Sequence, residues 1–259
     1  EIVSRDWSSD VCSSDLTIGG IALVKLGAEW CFGVNGLSFL AVIASLYVIT
    51  VGYVPAKTRE PILTSMKQGI GFIRNKPGMN GLIVLAFCMT FLAVPLLTFL
   101  PVFAREVLHG GPTTFTQLLA FSGVGSVCGG LAVAAAGKIK GQGRTALLVL
   151  MALGGIIVAF SLSKVLSLSL ALIFCSGALM MISMSMVSSL VQHVASDEMR
   201  GRVMSVFNVA FRGGMPLGGL VLGRLIPIFT APVTMTVTGC LLAVLGLYYL
   251  FIQRRVAEL

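Results

Sequence analysis

The stretch from Val165 to Ser196, VLSLSLALIFCSGALMMISMSMVSSLVQHVAS, contains no Asp, Glu, Lys or Arg, and Lys164 and Asp197 close it at either end. A bilayer crossing needs about 20 mostly apolar residues, and a charge at its centre costs a few kcal/mol. This window therefore reads as a membrane-spanning helix. The same test, moved outward along the chain, finds uncharged windows at 30–56, 77–104, 107–137, 145–163 and 225–253, and a stretch at 202–224 broken only by Arg212. Seven full crossings follow, with residues 17–28 as the last turns of an eighth helix. The fold class expected is an all-α polytopic membrane protein.

Composition points the same way. Of the 259 residues, 56% are hydrophobic and 11% charged, against about 25% charged in a soluble domain. A cytosolic enzyme, a disulfide-stapled secreted fold and a disordered tail are excluded on these grounds. The net charge of +8 raises nucleic acid as a partner, but the basic residues flank spans instead of forming a patch, so none is expected. With strictly alternating spans, twelve Lys and Arg fall on one side, among them Lys67, Arg74, Arg144, Arg200, Arg202, Arg254 and Arg255. Four fall on the other: Lys25, Arg105, Lys164 and Arg224. Basic residues stay inside, so the C-terminus is expected in the cytoplasm and the chain in the plasma (inner) membrane as a multi-pass protein.

The longest cytoplasmic loop, 57–78, places Ile62, Met66, Ile70 and Ile73 at helical spacing, and predicts a short amphipathic helix on the inner leaflet, serving as a linker between bundles or as a lipid sensor. Residues 5–16, Arg5 to Leu16, have neither helical nor alternating periodicity and resemble a translated sequencing-library adapter. Residues 1–16 are accordingly read as non-native, with the natural chain beginning upstream of Thr17.

Ile18-Gly-Gly-Ile-Ala-Leu-Val-Lys-Leu26 aligns with Leu217-Gly-Gly-Leu-Val-Leu-Gly-Arg-Leu225, and Leu40-Ala-Val-Ile43 with Leu242-Ala-Val-Leu245, both about 200 residues on. Ordered matches in adjacent helices imply a parallel repeat, as in carriers whose halves are related by an axis along the membrane normal. Residues 17–56 then end a first six-helix bundle as its fifth helix, in part, and its sixth. Residues 57–78 link, and 79–259 form the second bundle.

With the repeat in place, four motifs resemble the major facilitator superfamily, and within it the exporter branch that includes the enterobactin exporter and the macrolide efflux proteins. Trp30-Cys-Phe-Gly-Val-Asn-Gly-Leu-Ser-Phe39 is similar to that branch's sixth helix, and Leu100-Pro-Val-Phe-Ala-Arg-Glu-Val107 to the outer end of its seventh. Asp197-Glu-Met-Arg-Gly-Arg-Val203 is similar to the loop between helices ten and eleven, and Arg212-Gly-Gly-Met-Pro-Leu-Gly-Gly219 to helix eleven. The loop Gly137-Lys-Ile-Lys-Gly-Gln-Gly-Arg144 keeps the glycines and basic residues of the superfamily's loop signature without its acidic residue. The resemblance implies a secondary transporter that exports an amphipathic, drug-like or siderophore-like compound by alternating access with protons as coupling ion, monomeric when full length. A non-transporting scaffold or receptor that keeps the fold is the alternative. An enzyme is the weakest reading, because the helices lack a clustered acid, base, nucleophile or metal set, and no cofactor or metal is expected.

Arg212 is the strongest anomaly, about 15 Å along a helix from Arg202 and so near the middle of the bilayer. Ser205, Asn208 and Arg212 share a helical face. Two readings stand: substrate or coupling duty, and a structural clamp that fixes the helix. Ser185, Ser189 and Gln192 share a face of the 165–196 helix, with Met181 among the methionines between them. Such residues suit a cavity for varied apolar ligands and also suit ordinary packing. Asp197, Glu198, Arg200 and Arg202 are candidates for a cytoplasmic gate, with helix capping by Asp197 as the simpler role. Gly125 and Gly129, Gly214 and Gly218, and Gly219 and Gly223 are spaced for close helix packing, and Pro216 for a kink. Apart from Cys12 in the segment read as non-native, the cysteines (Cys31, Cys88, Cys128, Cys175 and Cys240) sit singly in apolar windows and read as packing residues, with no metal-ligand or disulfide spacing.

Overall fold

The computed structural model describes residues 62–137 and 141–253, Val256, and several helical positions between 33 and 47. The crossing expected at 30–56 otherwise lies outside the described residues, as do the stub at 17–28 and the segment 1–16. Among the described residues every regular element is helical. Six stretches are long and apolar enough to cross a bilayer.

Proline and glycine set the boundaries. Helix α1, Ile62–Asn75, stops before Pro77, and Gly78 in the left-handed region (φ 82°) turns the chain into α2, Met79–Leu92. The first span is not straight. Pro95 opens α3, Pro95–Thr98, and Pro101 lies in α4, Leu100–Val102, before a π-helical turn at Phe103–Val107. A proline supplies no N–H and crowds the preceding turn, so an interrupted span is the expected result. Helix α5, Pro112–Ala136, starts with proline at its first turn and ends at Gly137; α6 runs Gln142–Leu162 and α7 Leu166–Val194. Helix α8, Arg200–Phe229, continues through Pro216 and Pro227, and Thr230 separates it from α9, Ala231–Phe251. The expected boundary at Arg224 is thus corrected: Arg224 lies inside α8, about 7.5 Å before its end. Pro227 does not stop the helix there, and Arg224 is exposed on its surface beside Leu220, Val221 and Leu225.

Helix α5 lies along α7, α6 along α9, and α2 along α8; α7 also packs on α6, and α2 touches α7 and α9, which closes one bundle. Lipid is as apolar as leucine, so close backbone approach, and not escape from water, must hold such helices together. Glycine permits it. A Cβ on Gly125 would collide with the backbone of Phe174, one on Gly129 with Ala178, and one on Gly177 with Ser122. Ser126 Oγ donates to the Gly177 carbonyl at 3.3 Å across the same interface. Helices α6 and α9 meet reciprocally at Gly154 and Gly239, and Ser161 Oγ lies 2.7 Å from Thr236 Oγ1 nearby. Helices α2 and α8 meet where Gly214 lies on Thr90 and Phe87, and Gly218 on Phe91. The second pair in α8 does not behave this way within the described bundle. Space around Gly219 is open and Gly223 only touches the Phe99 ring, because both have turned off the face that meets α2.

Helix α1 forms where its periodicity predicts, but its inward face differs. Gly69 and Ile73 are buried while Ile70 is 42% exposed. Without a side chain at Gly69 the helix settles onto the Arg202 backbone and Val206 at the start of α8, which turns Ile70 outward. The expected rest on the inner leaflet is therefore, in part, a rest on α8.

Candidate functional site

Helix α8 is the least buried of the six spans, with 17% of its most apolar window enclosed. Its packed face is Val203, Phe207, Gly214, Gly218 and Leu222. On the far side Ser205, Asn208 and Arg212 are all exposed, at i, i+3 and i+7. Met215 and Gly219 continue that line. Leu217, Leu220, Val221 and Ile228 are exposed to one side of it, with the exposed Arg224 among them towards the end of the helix. Helix α8 thus carries three faces: one packed, one apolar and one polar.

Arg212 lies about 18 Å along α8 from its first residue, well inside a hydrocarbon layer of about 30 Å. Its guanidinium has no ion-pair partner among the described residues. Ser205 Oγ donates to the Gly201 carbonyl, its own preceding turn, at 2.9 Å. A serine in this arrangement satisfies its proton locally and leaves its lone pairs outward.

On α7 the expected face is intact. Ser185, Ser189 and Gln192 are all half-buried, while Met181 is buried at 7% exposure and contributes to packing among the described residues. Gln192 Nε2 donates to Ser188 Oγ at 3.4 Å, one turn back. At the end of α7, Ser189, Gln192, His193 and Arg200 line a pocket of about 170 Å³. That pocket joins the two helices that carry the expected cavity residues, at the mouth of the bundle.

The gate candidates pair locally. Arg200 Nη2 lies 2.8 Å from Asp197 Oδ1, three residues apart and largely exposed. Asp197 does not cap α8. Met199 holds that position without a side-chain cap, and the Ser196 carbonyl accepts from the Arg200 N–H at 2.8 Å. Arg202 Nη1 contacts Met199 Sδ at 3.6 Å, and Glu198 is exposed.

Several packing residues escape sequence reasoning. Gly154, Gly177 and Gly239 meet backbones as closely as the paired glycines do, yet none belongs to a glycine pair spaced by four. His193 enters the mouth pocket only because α8 brings Arg200 beside it.

A family model described as transmembrane secretion effector, within the major facilitator superfamily, matches residues 11–259. The chain belongs to this family. No curated protein matches it. As a major facilitator protein it is a multi-pass transporter and not an enzyme, embedded in lipid and acting on a small-molecule substrate.

Proposed function

We propose that this transporter exports an amphipathic organic compound by alternating access. The described helices α2 to α9 form one of two bundles that rock around a midplane site, and residues 17–56 belong to the other. The reading further assigns the chain to the plasma (inner) membrane, with its C-terminus in the cytoplasm and protons as the coupling ion. The observation that carries it is the α8 polar face. Ser205, Asn208 and Arg212 stand exposed at membrane depth beside an apolar face suited to lipid. An arginine facing hydrocarbon is costly, whereas one facing a water-filled cavity between bundles is not. The small residues at the bundle's other contacts permit the sliding that such rocking requires.

The test uses the full-length gene in an efflux-deficient host, comparing deletion, Arg212→Ala and Ser185→Ala. Loss of efflux by at least about tenfold in Arg212→Ala, with membrane insertion unchanged, is the expected result. A deletion phenotype fully restored by Arg212→Ala and by Ser185→Ala would instead indicate a scaffold that only keeps the fold.

A further inference from the structure

We propose that the exported compound is an anionic amphiphile, and that Arg212 is its counter-ion at mid-membrane; this rests on the export reading above. Between residues 62 and 253 the acidic residues are Glu106, Asp197 and Glu198. Glu106 lies in the π-helical turn at the end of the first described span, and the other two lie in the loop before α8. Asp197 is already engaged by Arg200 at 2.8 Å. No described span therefore carries a carboxylate at the depth of Arg212. Arginine does not deprotonate in a protein, so the polar face of α8 is positive throughout its working range.

Chemistry then decides which cargo that face accepts. The guanidinium fork matches the two oxygens of a carboxylate, sulfate or phosphate, and cannot accept a hydrogen bond from an ammonium. A cationic amphiphile would meet like charge there, with no carboxylate of the described spans at that depth to offset it. Val209, 61% exposed, and Met215, 51% exposed, flank Arg212 along the helix and offer apolar surface to a tail. Methionine adapts to varied shapes. The polar face starts within two helical turns of Arg200, where the mouth pocket adds His193 and Gln192. A headgroup has hydrogen-bonding partners at the mouth and a charge partner inside.

The experiment uses full-length protein in nanodiscs of neutral phosphatidylcholine, with empty discs as the baseline. Binding of decanoate and of decyltrimethylammonium, which share a tail length and differ in charge, is measured by calorimetry for wild type, Arg212→Gln and Arg212→Lys. Wild type is expected to bind decanoate at least about tenfold more tightly; Arg212→Gln abolishes the preference and Arg212→Lys retains part of it. Matching unfolding temperatures for the three proteins show that the fold is intact. Equal affinities, a cation preference, no binding of either amphiphile, or a decanoate preference untouched by Arg212→Gln would overturn the inference. Flux in proteoliposomes separates the two claims. Decanoate binding with no gradient-driven decanoate flux removes the export reading and leaves anion selectivity standing, and driven flux of decyltrimethylammonium alone does the reverse.

Discussion

At the α6–α9 interface a Cβ on Gly154 would lie 2.6 Å from the Gly239 carbonyl oxygen and 2.8 Å from the Ala243 nitrogen, and a Cβ on Gly239 would lie 2.7 Å from the Gly154 carbonyl oxygen. An ordinary carbon–oxygen contact is about 3.4 Å, so either alanine substitution forces the helices apart by roughly 0.5–1 Å. A gap of that size forfeits a quarter to a half of each atom pair's attraction, at about 0.1–0.2 kcal/mol per pair. Over roughly 30 pairs along the contact, Gly154→Ala or Gly239→Ala should cost about 1–3 kcal/mol, the usual range for overpacking. Gly155 provides the control one residue away, with open space where its Cβ would go. Gly155→Ala should be neutral or slightly stabilising, since alanine is the better helix former. The double substitution Gly154→Ala with Gly239→Ala should cost less than the sum, because one separation relieves both clashes. The assay is equilibrium unfolding of the full-length protein in mixed micelles of increasing dodecyl sulfate fraction, followed by circular dichroism. Equal costs for Gly154→Ala and Gly155→Ala, or strictly additive costs in the double variant, would refute the reasoning.

Two further outcomes follow from single contacts. Gly69→Leu places its Cβ 2.9 Å from the Arg202 carbonyl oxygen, while Gly71 has open space; limited trypsin digestion at Lys67 and Arg74 should accelerate several-fold in Gly69→Leu and not in Gly71→Leu. Asp197→Asn removes an exposed pair that holds Arg200, and the unfolding midpoint should shift by less than the equivalent of about 1 kcal/mol.

The fold was largely legible because a charge inside a membrane is expensive, so the positions of Lys, Arg, Asp and Glu mark the ends of crossings. The exception shows the rule's limit. Arg224 reads as a boundary, yet α8 runs on to Phe229, because near the interface an arginine can extend to water without ending its helix. The breaks at Pro95 and Pro101 and the π-helical turn that follows, where the Phe103 ring centroid lies 5.1 Å from that of Phe160, were not read from the uncharged window 77–104. Gly125 with Gly129 and Gly214 with Gly218 lie at the α5–α7 and α2–α8 contacts, while Gly219 and Gly223 lie at none. A spacing of four misses Gly154 against Gly239, where each helix brings one glycine to the crossing and the match exists only in space.

The candidate site was legible by periodicity, since Ser205, Asn208 and Arg212 do share an exposed face. What spacing left open was which face of α8 meets the bundle. Gly214 and Gly218 fix that by seating α8 on α2, and the polar face then points away. Met181 could not be distinguished from its neighbours by sequence, because methionine serves packing and cavity alike; the structure adds that it is buried at 7% exposure.

Cysteine scanning of α8 with a membrane-impermeant anionic thiol reagent, on a full-length protein freed of its native cysteines, tests most directly whether the Arg212 face lines a water-filled cavity. Cysteines at Ser205, Asn208 and Arg212 should react at rates at least about tenfold above those at Leu217, Leu220 and Ile228, because thiolates form in water and not in lipid. Equal rates around the helix, or faster reaction on the leucine side, would contradict the account.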